Sequence, residues 1–541
     1  MKPYVASTLP LPGQDFAVAD RRRAGIDLAA LLSRDIGLTV TVVLALGLSG
    51  ISIAYFFHAG LLTAPGDSRA RLLIARTVVL GRHAGLAQLG GIWPPFPQVY
   101  MLPFVWNDFM YRTGLAGAIP SAVSYVIASA FLYSLVARLT TDQVAGLISV
   151  LAFSVPNTLY MQSVPMSEMP FIACFLAAVY FIVRWLTDGS LSALFLAGLA
   201  ACIATLTRYE GWVLMALLAG VVIAAGWRRG RRFEEMEGHL VFFGMIALLG
   251  VGFWLVWNRV IFGDTLYFLH SQYGTKAINT LQLQAMSAPT RAVGHLPLSV
   301  RVLSWVIVDN LGWVAVGLAV LGLGRLILLR GSAQAAAAAL VLLFPIAFSV
   351  LAIYVGAEVV GDPHAMPGMP FTNIRYGLLA TPAAGFLAGW LAHGRWSRWP
   401  ALVACIASSL LGWQTGVTNL QDSTTVITRQ AATSTSAGDW LASHYDGGLV
   451  LAQRRTNENL LFTSQLPPER MVYEGDQSEW TLDLAQPERE IRWIVMDHGY
   501  PTEGTAPDAV WTSLYGSSQL RDHYDLVYED GPIRVYRSLA G

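Results

Sequence analysis

Apolar residues in this sequence gather into blocks long enough to cross a bilayer. A helix needs about 20 such residues, because each advances about 1.5 Å through a hydrocarbon layer about 30 Å thick. The stretch IGLTVTVVLALGLSGISIAYFF (36–57) is the first block. Others follow near 115–137, 143–161, 168–186, 191–207, 211–227, 240–262, 303–328, 335–355, 373–393 and 399–417, which makes eleven expected spans. Composition agrees: 54% of residues are hydrophobic and 13% charged, where a soluble domain carries about a quarter charged residues. The sequence therefore predicts a polytopic α-helical membrane protein of about eleven transmembrane helices.

Charge between the blocks predicts the orientation. Cytoplasmic loops collect Lys and Arg. With the N-terminus inside, the cytoplasmic loops hold Arg138, Arg184, Arg228–Arg232, Arg325 with Arg330, and Arg395 with Arg398. The opposite orientation would put RRGRR (228–232) outside. Residues 1–35 then form a cytoplasmic segment, too long and too charged for a cleaved signal. Residues 36–419 form the transmembrane module, with a long external loop at 58–114. Residues 420–541 form an extracytoplasmic α/β domain. In it, 448–453, 470–475, 491–497 and 524–537 read as strands, and 438–445 and 457–466 as helices. Asp530-Gly531 is a hairpin signal. With most of the polar mass outside, ATP and nucleotide sugars are poor substrate candidates, and no nucleic-acid partner is expected.

The three cysteines, Cys174, Cys202 and Cys405, all lie in apolar blocks, with no metal-type spacing. No GxGxxG, P-loop, GxSxG or HExxH occurs. All but two of the 35 basic residues are arginine, a residue suited to phosphate but also favoured by high-GC codon usage.

Charges in hydrocarbon are costly, so their positions carry information. Here they fall at the external ends of spans: Asp67 after the first, Glu168 opening the fourth, Arg208 and Glu210 between the fifth and sixth. His270, Tyr273 and Lys276 follow the seventh. Asp309 lies about two turns into the eighth. Glu358, Asp362 and His364 precede the tenth, which Arg375 and Tyr376 begin. This convergence predicts one external-facing cavity at the membrane interface. Plainer roles compete. Asp67 and Glu168 could be helix N-caps, and Arg208 and Arg375 could snorkel to headgroups. His270 and His364 could be ordinary loop residues, and Arg69, Arg71 and Arg76 are expected to face lipid phosphates.

The ordered set of Asp67 after the first span, GIWPPFPQVY (91–100), MSEMPF (166–171), IATLTRYEGW (203–212) and NIRYGLLATP (373–382) resembles the glycosyltransferase C superfamily. Its members use polyprenyl-phosphate sugars; protein O-mannosyltransferases and aminoarabinose transferases are among them. Many relatives carry two adjacent acids after the first span, whereas here Ser68 and Arg69 follow Asp67. The resemblance implies an inverting sugar transfer in a bacterial-type inner or plasma membrane. The donor would be a polyprenyl-phosphate sugar and the acceptor a lipid, glycan or protein hydroxyl. It implies Asp67 as base with Glu168 as its acidic partner. Arg208 and Arg375, with Lys276 and His270 in reserve, would bind the donor phosphate. Glu210, Tyr376, Asp309 and His364 would contact substrate. No cofactor is demanded, although Asp67 with Glu168 could hold a divalent metal. The rival readings are a lipid-linked sugar transporter or flippase, a glycan ligase or polymerase using a diphosphate-linked donor, and a structural membrane subunit.

Overall fold

The computed structural model describes residues 35–230, 232–272, 274–286, 291–424, 429–500 and 505–540. The N-terminal segment 1–34 and Tyr273 lie outside the described residues. The membrane module contains α1 Ile36–His58, α2 Gly66–Leu80, α3 Leu115–Thr140, α4 Gln143–Phe153, α5 Glu168–Asp188, α6 Leu191–Thr205, α7 Glu210–Arg228 and α8 Phe233–Phe262. It continues with α9 Leu296–Leu311, α10 Trp313–Leu328, α11 Ala333–Val355, α12 Thr381–Ala392 and α13 Arg398–Thr415. Among the described residues, seven helical stretches are long and apolar enough to cross a membrane, or eight if α9 and α10 count as one bent span.

All eleven expected segments are helical, but four are not single full-length spans, so helix length does not yield eleven crossings. Three of the exceptions have a local cause, and the fourth is a short helix. The 143–161 stretch breaks after Phe153: Val155 is extended, as the residue before a proline prefers, and Pro156 opens a new short helix. α6 has only 15 residues. The 303–328 stretch bends by 109° at Gly312, whose φ of +79° is open to glycine at little cost. The 373–393 stretch starts with a left-handed Asn373 and a 3-10 turn, Ile374–Ala380, before Pro382 opens α12.

α5 is the central helix, packed against α3, α6 and α11, and its Phe171, Phe175, Val179 and Ile182 are buried. Lipid is as apolar as a side chain, so close van der Waals fit holds such helices together. α12 approaches α4 through Gly385 and Gly389; a Cβ on either would stand 2.8 Å from the backbone oxygen of Ser149 or Ala145. The basic loops expected inside meet at one end of the bundle. Arg138 pairs with Asp188 at 2.5 Å and Arg398 with Asp142, while Arg325 donates to the Leu391 carbonyl.

The C-terminal domain adds α14 Arg429–His444 and α15 Glu458–Thr463 to five strands: β1 Leu449–Leu451, β2 Met471–Val472, β3 Ile491–Asp497, β4 Tyr524–Asp530 and β5 Ile533–Ser538. The sheet order is β2-β1-β3-β5-β4. The first three strands are parallel, and the β4–β5 hairpin turns at the expected Asp530-Gly531. One face of the sheet buries Val450, Trp493 and Val535 under Leu441, Leu460 and Leu461, and Leu73 of α2 joins that core. The domain is thus seated directly on α2. The opposite side of α2, with Leu72 and Ala75, packs on Met101, Val105 and Tyr111 of the 81–114 loop.

Candidate active site

α2 begins at a tight exit from the first span. Its N-cap is Pro65, without a side-chain capping bond. Asp67 is therefore not the cap. Its Oδ2 instead accepts a hydrogen bond from Arg375 Nη2 at 2.7 Å. The half-buried Asp67 carboxyl is opposed by desolvation, but Arg375, Arg71 and Arg455 outweigh that and hold it below the ordinary carboxylate range.

Glu168 is likewise no cap, since α5 starts from Ser167 with no side-chain capping bond. It is 1% exposed, a position an ionised carboxylate occupies only when paired. Arg208 supplies the pair, donating from Nη1 to Glu168 Oε1 at 2.9 Å. The same guanidinium donates to Glu210 Oε1 from Nε at 2.9 Å and from Nη2 at 2.5 Å, and to Ser167 Oγ at 3.0 Å. Arg375 Nε stands 3.6 Å from Glu168 Oε1. The result is a continuous chain, Asp67–Arg375–Glu168–Arg208–Glu210. Tyr376 lies under both guanidinium groups, with ring centre distances of 5.6 Å to Arg208 and 5.9 Å to Arg375. The turns carrying these groups are tied down by backbone bonds: Phe96 N–H donates to the Leu206 carbonyl at 2.9 Å, and Tyr209 OH to the Ile92 carbonyl at 2.7 Å.

The structure brings together six of the ten sequence candidates: Asp67, Glu168, Arg208, Glu210 and Arg375, with Tyr376 stacked against them. Asp309 and His364 pair with each other at 3.3 Å, beside the cluster. Asn310 next to Asp309 donates to the Ile374 carbonyl, one residue before Arg375. Two candidates stand apart. His270 is exposed and bound to Asp264 at 2.7 Å, where an adjacent surface acid satisfies it. Lys276 is exposed on the helix Thr275–Ala285. Neither joins the arginine chain, so the phosphate-binding role expected for them is not supported by position.

Arg71 was expected to face lipid phosphates, and this is corrected. It is buried, donates to Ser167 Oγ at 3.3 Å and covers Trp93 at 4.4 Å. Among the described residues its Nε and Nη1 have no hydrogen-bond partner, nor has Arg375 Nε. Arg76 is buried as well, bound to Asp108 and the Val105 carbonyl, and Arg69 binds Asn459 of the C-terminal domain. These arginines hold α2 between two protein layers, not flat on headgroups.

Three further residues reach the site without a clear sequence signal. Arg455 lies 5.3 Å from the Trp93 ring centre. Glu458 borders Asp67 from the C-terminal domain; burial and then Asp67, against Arg455, raise it to about 7. Glu358 is buried beside Arg208 and Arg375, and desolvation with Glu210 raises it to about 8. The salt-bridged acids Asp67, Glu168, Glu210 and Glu458 face Arg375, Arg208 and Arg455, and Arg71 stands beside them without a salt bridge among the described residues.

Asp67 opens onto a cavity of about 540 Å³ between α2 and the C-terminal domain. Ser434, Thr435, Thr456, Glu458 and Asn459 line its far wall, a set of hydroxyl, amide and carboxyl groups that matches a polyhydroxy or polar ligand. Glu458 also borders a smaller cavity, about 100 Å³, with Trp93, Arg454 and Arg455. Asp67 and Glu168 are both engaged by arginine, which makes that pair a poor cation site.

Residues 98–257, which include Glu168, Arg208 and Glu210, match the family model for dolichyl-phosphate-mannose-protein mannosyltransferases. No curated protein matches the chain by sequence. In fold it is similar to the crystal structure of ArnT from Cupriavidus metallidurans in the apo state. The likeness has a TM-score of 0.52 at 14% identity and covers 95% of this chain and 99% of that one. The chain is thus a multi-pass membrane protein of the glycosyltransferase C fold.

Proposed function

We propose that the chain is an inverting glycosyltransferase that moves a sugar from a polyprenyl-phosphate donor to an acceptor hydroxyl outside the cytoplasm. The observation that carries this reading is the Asp67–Arg375 pair. It joins a carboxylate facing a polar cavity to a buried arginine cluster with spare donors. The acceptor hydroxyl attacks the anomeric carbon, the bond from that carbon to the phosphate oxygen breaks, and Asp67 takes the hydroxyl proton. A carboxylate can do this when it lies within hydrogen-bond reach of the hydroxyl. The departing phosphate carries the negative charge. Preorganised guanidinium groups in a water-poor site stabilise such charge best, and Arg71, Arg208 and Arg375 are placed for it.

Arg375 gives the two halves a common switch. In the structure it holds Asp67, which lowers the basicity of the carboxylate. A donor phosphate competes for the same guanidinium. As Arg375 turns to the phosphate, the proton affinity of Asp67 rises. The base is therefore strengthened only when donor is present. The polar walls of the larger cavity suit the acceptor. The orientation follows from the basic loops gathered at the opposite end of the bundle, which the positive-inside rule assigns to the cytoplasm.

The test is transfer by purified protein in detergent, offered a panel of polyprenyl-monophosphate and polyprenyl-diphosphate sugars with crude envelope acceptors. Transfer from a monophosphate donor with inverted anomeric configuration supports the reading. Transfer only from diphosphate-linked oligosaccharide moves it to a ligase or polymerase. Passage of the lipid-linked sugar across vesicles without chemical change moves it to a flippase.

A further inference from the structure

Beside the arginine chain, three ligand-type side chains converge from two elements. Asp309 stands near the end of α9, just before the bend at Gly312, while Asp362 and His364 come from the 356–372 loop. One ligand atom from each lies within 4.8 Å of the others. His364 Nδ1 is 3.3 Å from Asp309 Oδ2 and 3.3 Å from Asp362 Oδ1. Atoms bound at about 2.1 Å to one tetrahedral ion stand about 3.4 Å apart, so these separations fit a shared ion as well as a hydrogen bond.

An acidic cluster alone proves little, but Asp362 adds an independent observation. Its side chain is 0% exposed. Oδ1 accepts the backbone N–H groups of His364 at 2.7 Å and Ala365 at 3.3 Å. Among the described residues Oδ2 is buried without a hydrogen-bond donor. The Asp362 carboxyl also lies within hydrogen-bonding reach of that of Asp309, so two carboxylates meet where neither has an arginine. Burying a carboxylate oxygen unpaired is costly. A proton shared between the two acids or a cation between them would offset that cost. The imidazole favours the cation. Its ring is stacked on Trp305, 5.0 Å away at 22°, which holds Nδ1 toward the acids. Ring nitrogen with two carboxylates is a ligand set for a borderline divalent ion such as zinc or manganese, rather than for magnesium or calcium.

We propose that Asp309, Asp362 and His364 bind one divalent transition-metal ion, separate from the Asp67–Arg375 chain. Three protein ligands leave at least one coordination position for water or a ligand oxygen. The ion would tie the 356–372 loop to α9. That loop carries Glu358 and leads directly into Arg375, so the ion would act as a positioning device for the arginine.

The experiment needs no enzymatic activity. Full-length protein in detergent is stripped with chelator, then titrated separately with zinc, manganese, magnesium and calcium. Bound metal is counted by mass spectrometry and affinity measured by calorimetry. The expected result is one equivalent of zinc or manganese. His364→Ala and Asp362→Asn should each weaken binding at least tenfold; Asn at 362 keeps the oxygen that accepts the two loop N–H groups, so folding is retained. A second readout is proteolysis of the 356–372 loop, which metal should slow in the wild type and not in His364→Ala. Absence of stoichiometric metal in a folded sample overturns the proposal and leaves a shared proton between the acids. Binding that survives both variants but is lost in Glu479→Gln also overturns it, since that would place the ion at the Glu479–Asp483–Glu490 group of the C-terminal domain.

Discussion

Arg208→Ala is the substitution whose cost the structure specifies most fully. Arg208 is the principal cation for two carboxylates, Glu168 and Glu210, whose side chains are 1% and 6% exposed. Two unit charges about 4 Å apart interact by about 4 kcal/mol at an effective dielectric of about 20. Two such pairs are offset by the desolvation of all three groups. Breaking a buried ion pair from one side costs about 3–5 kcal/mol, because the stranded charge stays buried. We expect Arg208→Ala to lose stability in that range, measured as thermal or denaturant unfolding in detergent. Arg208→Met combined with Glu168→Gln and Glu210→Gln strands no charge. That triple variant should recover most of the lost stability and still bind polyprenyl phosphate poorly. If Arg208→Ala unfolds like wild type, or if the triple variant is no more stable than the single one, the ion-pair account of this site is wrong.

Arg71→Met keeps the stem over Trp93 and removes the charge. Loss of charge-assisted hydrogen bonds worth about 1.5–3 kcal/mol should weaken polyprenyl-phosphate binding about ten- to a hundredfold, whereas a headgroup-facing Arg71 would leave binding unchanged. Glu458 carries a pH signature. Its folded value of about 7 lies above the ordinary glutamate value of 4.5, so the folded protein binds the extra proton. Its stabilising contribution is present below about pH 4.5 and is lost as pH rises through 7, by about 3 kcal/mol for a shift of this size. Glu458→Gln should therefore flatten part of the fall in unfolding free energy between pH 4.5 and 8, and a parallel curve would contradict the assignment. Gly211→Ala tests the Arg208 turn: the added Cβ would stand 2.4 Å from the Ala204 carbonyl oxygen. Such overpacking costs about 1–3 kcal/mol, and donor binding should fall with it. Unaltered unfolding and binding would mean the turn has slack.

The membrane class, the place of the apolar helices and the strands of the C-terminal domain are legible in the sequence because apolar block length and alternation report them directly. The breaks were harder to read. A hydropathy block does not register that Pro156 restarts a helix, that Gly312 takes a left-handed φ or that Asn373 precedes a 3-10 turn. At the site, Asp67, Glu168, Arg208, Glu210 and Arg375 are legible because charges are rare at span ends and stand out there. Arg71 was misplaced for the converse reason: beside Arg69 and Arg76 on a helix after a span it reads as a headgroup contact. The C-terminal domain on Leu73 and the 81–114 loop on Leu72 and Ala75 together bury that helix. Arg455 and Glu458 lie hundreds of residues from Asp67 in chain order, and nothing local marks them. His270 and Lys276 were chosen by loop position, which did not place them in the arginine chain.

The most direct test of the central claim compares wild type with Asp67→Asn for sugar transfer from a polyprenyl-phosphate donor, with unfolding measured on the same preparations. Asn is nearly the same size as Asp, and Asp67 makes no capping bond to lose. The account predicts that Asp67→Asn folds and still binds donor, while transfer falls by about a hundredfold or more, the scale of a lost general base. Transfer at the wild-type rate by a folded Asp67→Asn protein would contradict it.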